Sequence, residues 1–159
     1  MSAVAVRADD DDDEHSHQDA FDAEGALGWT AAEKQAGHDQ RLAMTSIRQL
    51  AAISLGLKEL AGRDSTACNW MNQPTGPETL ATQVRAFEAN TRVKDVIHNA
   101  RMTVREYLLT LHAVSEAAIA VHATEQQIQV SVKPSPANVG FYRSHREEIE
   151  KLLDAPDPC

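Results

Sequence analysis

The chain has few aromatic residues and no long apolar run, and each shortage excludes a class of protein. Aromatic residues make up 4% of the sequence although hydrophobic residues make up 42%. Leucine, alanine, isoleucine and valine must therefore supply most of the buried area. This composition favours packed helices over a β-sandwich or barrel, which would need more β-branched and aromatic side chains. Because no apolar run approaches the roughly 18 residues of a membrane helix, we predict no membrane span.

The chain also lacks the signatures of nucleic-acid binding and of catalysis. Its formal net charge is −9, whereas proteins that bind the phosphate backbone carry a basic patch, so no nucleic-acid partner is predicted. The sequence contains no GxSxG, HExxH or P-loop motif, and Glu106 and Glu116 of the predicted central helix are not followed by histidine at the spacing of a carboxylate di-metal site. We therefore predict that the protein is not an enzyme and carries no cofactor.

The two cysteines, Cys68 and Cys159, lie far apart and form no CxxC motif. In an oxidising compartment they would be able to close a disulfide between the C-terminal tail and a loop. In the cytoplasm they would stay reduced. The sequence leaves both states open.

What the chain does have is an abrupt change of chemistry near its start. Residues 3–8 are small and mostly apolar, and an unbroken acidic run follows from Asp9 to Glu14. Val6 and Ala8 stand at the spacing that signal peptidase recognises. We predict a signal-peptide remnant at 1–8 and a periplasmic or secreted protein. The remnant would begin a disordered acidic leader at 1–28, followed by a helical domain at 29–154 and a tail at 155–159.

The acidic leader is also a candidate metal-binding segment. Carboxylate oxygens and imidazole nitrogens are both ligands of divalent cations. The alternative is a solvated tail that keeps the protein soluble. The candidate ligands are Asp12, Asp13, Glu14, His15 and His17.

Helix-start signals recur after the leader. Thr30–Glu33, Thr75–Glu78 and Thr103–Glu106 each have a threonine three residues before a glutamate, the spacing of a capping box. Together with apolar residues at helical spacing, they predict an all-α domain of four or five helices in a bundle. The helices are expected at 30–61, with Gly37 as a point where the first could divide, from Pro77, at 91–100, at 104–121 and after Pro136. Residues 126–133 alternate in polarity and are expected to form an extended connector.

The C-terminal half resembles small exported bacterial helical proteins of unknown role. The resemblance rests on Val96–Val121, in which Arg105–Tyr107 opens a long helix rich in leucine and alanine. It extends to Pro136–Phe141, followed by His145 and Glu148. The resemblance implies export and an all-α fold, and it assigns no chemistry.

Two features bear on function. His112 lies beside the apolar stripe of the predicted central helix, where a histidine is usually a partly buried core residue bonded to a neighbour. The 138–142 segment is unusual for a surface helix because Gly140 suggests close helix packing, and Phe141 and Tyr142 cannot both point inward.

We predict a non-catalytic binding or interaction protein of the bacterial cell envelope, with a protein or small molecule as its partner. Its surface would include Trp70, Phe141 and Tyr142. A metal-sequestering protein that uses the leader is the alternative, and an enzyme of unrecognised type comes third.

Overall fold

The computed structural model describes residues 28–64, 66 and 78–154. These residues form helices and no strand, which confirms the all-α class. The described part contains six helices, one more than the larger predicted number, because the first predicted region is two helices. Gly37 does not divide it, since the break lies at residues 40–43. The helices are α1 (Ala31–Asp39), α2 (Met44–Arg63), α3 (Leu80–Ala89), α4 (Thr91–Asn99), α5 (Val104–Gln126) and α6 (Pro136–Leu153).

Two of the three predicted capping boxes are present. The Thr30 and Thr103 hydroxyls accept from the third backbone N–H of α1 and α5, and the glutamate at that position bonds back to the cap. These bonds satisfy amide groups that a helix start leaves free. The bonds from the Thr103 backbone and side chain also lower the pKa of Glu106.

Helix α3 starts later than the sequence predicted. Helix α3 begins at Leu80, and its cap is Thr79, whose hydroxyl accepts from the Thr82 N–H. A helix that began at Pro77 would include Glu78 and Thr79. Neither residue is helical, so the predicted start is wrong. Thr75 and Pro77 themselves lie outside the described residues.

The central position predicted for α5 is confirmed. It packs against all five of the other described helices. Its end lies at Gln126 rather than near Val121, because Gln127 adopts a left-handed conformation with a φ of 57°. The Ile128 N–H then donates to the Ala123 carbonyl at 2.9 Å, closing the last turn. The predicted connector follows at 127–135, without regular structure.

The hydrophobic core consists of two clusters that meet along α5. The first buries side chains from α2, α3 and α4 against the N-terminal half of α5, with Trp29 at its edge. The second joins α2 and α6 to the C-terminal half of α5, around Ile47, Val121 and Ile149. Residue Thr110, between the two, is fully buried, and its hydroxyl accepts from the Gln40 side chain at 3.2 Å.

Asn138 fixes the break between α1 and α2. Its side chain is buried, accepts from the Leu42 N–H at 3.1 Å and donates to the Gln40 carbonyl at 2.8 Å. One amide group from α6 therefore provides hydrogen-bond partners for two backbone groups of a non-helical segment. Such partners are needed because an unpaired backbone group is costly to bury. The role of Asn138 is therefore structural.

The prediction for Gly140 is wrong for the described part of the chain, because a β-carbon placed there would meet no atom within 4 Å apart from the backbone of its own helix. Helix α6 is irregular at His145, whose φ is −120°. The His145 ring stacks on Phe141, and its Nδ1 lies 3.0 Å from the Phe141 carbonyl oxygen. A side chain bonded to the carbonyl four residues earlier competes with the helical bond at that point.

Within the described residues, none of the helices has the length and hydrophobicity that crossing a bilayer requires. The predicted leader, including its metal-ligand candidates, lies outside these residues, as do Cys68, Trp70 and Cys159. The predictions that rest on them stay predictions.

We expect Asn138→Ala to lower the free energy of unfolding by about 2 kcal/mol, because it leaves a buried N–H and a buried carbonyl without partners. The exposed Asn99, at the end of α4, offers a matched control. Urea denaturation of both variants checks the prediction. A loss for Asn138→Ala no larger than that for Asn99→Ala would contradict it.

Candidate ligand-binding pocket

A half-open pocket of about 500 Å³ lies between α1, the middle of α5 and the connector. Its size is within the range of small-molecule sites, about 300–1,000 Å³. We call it the α1–α5 pocket. Its apolar lining comes from Trp29, Ala31, Ile119 and Val132, and its polar lining from Lys34, Gln35, His38, His112, Ser115, Glu116 and Lys133.

The back wall of the pocket is the contact between Trp29 and His112. Their ring centroids are 4.6 Å apart at an angle of 44°. The indole N–H of Trp29 donates to the Gln83 side chain at 3.2 Å, which fixes the ring against α3. The Nε2 atom of His112 lies 3.3 Å from a Glu116 carboxylate oxygen, one turn along α5. His112 is thus partly buried beside a carboxylate.

Gly37 makes this wall possible. A β-carbon at Gly37 would lie 2.7 Å from Cδ2 of His112 and 3.2 Å from Cζ3 of Trp29. Both distances are shorter than ordinary contacts between carbon atoms. The glycine therefore lets α1 approach α5 closely enough to hold the two rings together.

The mouth of the pocket carries two lysines from different elements. Lys34 lies on α1 and Lys133 on the connector, and both are exposed. The Nδ1 atom of His38 lies 3.1 Å from the Lys133 carbonyl oxygen, so the connector is tied to α1 beside the pocket. In the part of the chain that the structure describes, neither lysine forms a salt bridge. The mouth therefore carries two positive charges that no described carboxylate neutralises within salt-bridge distance.

A second, more open groove lies on the neighbouring face of α5, toward the end of α6. Its volume is about 600 Å³, and its apolar lining includes Leu111, Val114, Ala118 and Leu153. Leu111 and Ile119 are 40% and 39% exposed, so the face of α5 between the two pockets is apolar and open. Ser115 lines both pockets at the middle of this face.

A polar cluster beside this groove joins α5 to α6. Arg146 donates through Nε to Glu150 at 2.7 Å and also pairs with Glu125, and its Nη2 lies 3.3 Å from Nδ1 of His122. The hydrogen bond from Arg146 lowers the pKa of Glu150. Burial raises the pKa of Tyr142, whose hydroxyl donates to Glu150 at 3.3 Å. The cation is compensated by two carboxylates, so the cluster acts as a clamp between helices.

The predicted surface residues of α6 lie in different environments. Tyr142 is 4% exposed, so its ring belongs to the core and leaves little surface for a partner. Phe141 is half-buried against the second core cluster. Neither lines the α1–α5 pocket, and contact between a partner and either ring stays a prediction.

The residues of the α1–α5 pocket were not predicted as a site. Trp29 directly precedes a capping box, a position where a large side chain can pack against the new helix. Gly37 inside a helical pattern was a second signal, since a glycine there usually has a packing reason. Nothing in the local sequence joins Lys34 to Lys133, because they meet only through the return of the connector.

No known protein family, curated protein or solved structure matches the chain. The resemblance to exported bacterial helical proteins therefore stays a prediction. Among the described residues, no group of three or more histidine, cysteine, aspartate or glutamate side chains is arranged to hold a metal ion. The α1–α5 pocket is the candidate site that the geometry itself supplies.

We expect Gly37→Ala to destabilise the protein by about 1–2 kcal/mol, because the added methyl group overpacks the Trp29–His112 contact. Gly140→Ala is the matched control. It should stabilise the protein by roughly 0.5–1 kcal/mol, since its helical site has room for the methyl group. Thermal unfolding measures both changes. Equal effects of the two substitutions would show that α1 does not depend on this close approach.

Proposed function

We propose that the protein is a non-catalytic binding protein of the bacterial cell envelope and that the α1–α5 pocket is its binding site. The observation that carries the proposal is the pocket itself, with apolar walls and a polar mouth. A ligand that enters it would bury apolar surface against Trp29, Ile119 and Val132. This burial is the main source of affinity for a small molecule in such a site.

The bonding of the polar groups supports binding over catalysis. The Ser115 hydroxyl donates to the Leu111 carbonyl at 2.8 Å, so its proton is engaged with the backbone of its own helix. His38 bonds to the carbonyl of Lys133, and His112 packs between Trp29 and Glu116. These groups hold the walls in place and are not arranged as a nucleophile with its base.

The location in the envelope is the part of the proposal that rests on the sequence. Its support is the spacing of Val6 and Ala8 before the acidic run. The partner in this compartment would be a small molecule, one of the two partner classes that the sequence left open.

Binding of the neutral fluorophore N-phenyl-1-naphthylamine tests the pocket as a site. We expect the full chain to increase the fluorescence of the probe. Ile119→Asp should weaken binding about ten-fold or more, because it places a charge in an apolar wall. Ile128→Asp is the matched control, because Ile128 is also exposed but does not line the pocket.

The control variant should bind the probe as the wild type does, and circular dichroism should show that both variants keep their helices. Absence of probe binding to the wild type would contradict the proposal. So would equal weakening by Ile119→Asp and Ile128→Asp, which would place the probe elsewhere.

A further inference from the structure

We infer that the ligand of the α1–α5 pocket is an amphiphilic anion, a small molecule with an apolar body and one carboxylate or similar negative group. The inference rests on the proposed function, since it names the ligand class of the same pocket. The supporting observation is that apolar walls lie next to two lysines, at one mouth, that form no salt bridge with any described residue.

The walls select the body of the ligand. Three apolar side chains line the pocket from three parts of the chain: Trp29 just before α1, Ile119 on α5 and Val132 on the connector. An aromatic ring or a short aliphatic chain fits such a slot, because its apolar surface leaves water without exposing a polar group to the walls. A fully polar solute would lose hydration there without replacement.

The mouth selects the charge of the ligand. Lys34 and Lys133 stand on separate elements and both line the pocket, and His38 fixes the backbone that carries Lys133. Several other cations of the bundle are already paired: Arg92 with Asp64, Arg48 with Glu148, and Arg146 with Glu125 and Glu150. The two lysines thus remain available to a carboxylate of the ligand.

Glu116 determines how an anionic ligand is oriented in the pocket. Its carboxylate lies on the α5 wall, 3.3 Å from His112, and its side chain is 18% exposed. A negative group is repelled by that carboxylate and attracted by the two lysines of the mouth. The ligand therefore enters with its apolar body toward Trp29 and leaves its charge at the mouth, where water also solvates it.

Two fluorophores that differ by one anionic group test this inference. The compound 8-anilino-1-naphthalenesulfonate has the ring systems of N-phenyl-1-naphthylamine plus a sulfonate. We expect the wild-type full chain to bind the sulfonate about five-fold more tightly at low salt, the size of effect given by two exposed charge contacts. The advantage should shrink as ionic strength rises from about 0.05 M to 0.5 M, because salt screens exposed charges.

Substitutions of the two lysines then test whether they cause the tighter binding of the sulfonate. Lys34→Gln combined with Lys133→Gln should abolish the preference for the sulfonate, because the substitutions weaken binding of the sulfonate more than binding of the neutral probe. Lys58→Gln combined with Lys94→Gln removes the same total charge away from the pocket and should keep the preference. The wild type and both double variants contain the acidic leader, so any effect of the leader on probe binding is the same in all three proteins.

A competition experiment extends the test from fluorescent probes to amphiphilic anions, the proposed class of ligand. Octanoate should displace N-phenyl-1-naphthylamine at lower concentration than octylamine, which has the same chain with a positive head group. Equal displacement, or stronger displacement by octylamine, would overturn the inference. An unchanged sulfonate preference in the Lys34→Gln, Lys133→Gln variant would also overturn it.

The two proposals fail in different ways. If neither fluorophore binds in the pocket, the proposed function fails. If the neutral probe binds there and is lost in Ile119→Asp, but the sulfonate gives no advantage, the pocket remains a binding site and only the ligand class is wrong.

Discussion

The described fold depends on burying helix α5. Its apolar residues cover most of its circumference, and an isolated helix of this kind would expose a large hydrophobic surface to water. The other five described helices pack against it from different directions. The two core clusters meet along its length, with Ile97 and Leu80 buried on one half and Ile47 and Ile149 on the other. Between the two pockets, Leu111, Ser115 and Ile119 leave a face of α5 exposed.

The α1–α5 pocket follows from the way α1 covers its part of α5. The helix is short, and Gly37 lets it approach His112 so closely that Trp29 is held against the imidazole ring. The two helices then line the pocket from two sides, through Ala31 and Lys34 on α1 and Ser115 and Ile119 on α5. The connector returns over the gap at Lys133, held by His38, and the space between the three elements stays open. A better-covered α5 would have no pocket here.

Features that depend on local sequence patterns were predicted from the sequence. Features that depend on contacts between distant residues became visible only in the structure. The caps at Thr30 and Thr103 and the apolar length of α5 are local, and the structure confirms them. The break after α1 is not local, because its backbone groups are satisfied by Asn138, more than ninety residues away. The pocket is unpredictable for the same reason: its lysines and its two rings meet only after α1, α5 and the connector have packed.

The net charge of the chain is −9, so an anion binds in the pocket only if nearby positive charges attract it more strongly than the distant acidic residues repel it. At physiological ionic strength the Debye length is about 8 Å, so exposed acidic residues farther away than this are largely screened. Charges at the mouth act over shorter distances, and next to apolar walls their field is screened less than in open water. The overall charge of the protein then governs how fast an anion approaches, while Lys34 and Lys133 govern how firmly it is held. A basic mouth on an acidic protein is therefore consistent with selectivity for anions that also carry an apolar body, because the apolar contacts must supply most of the affinity.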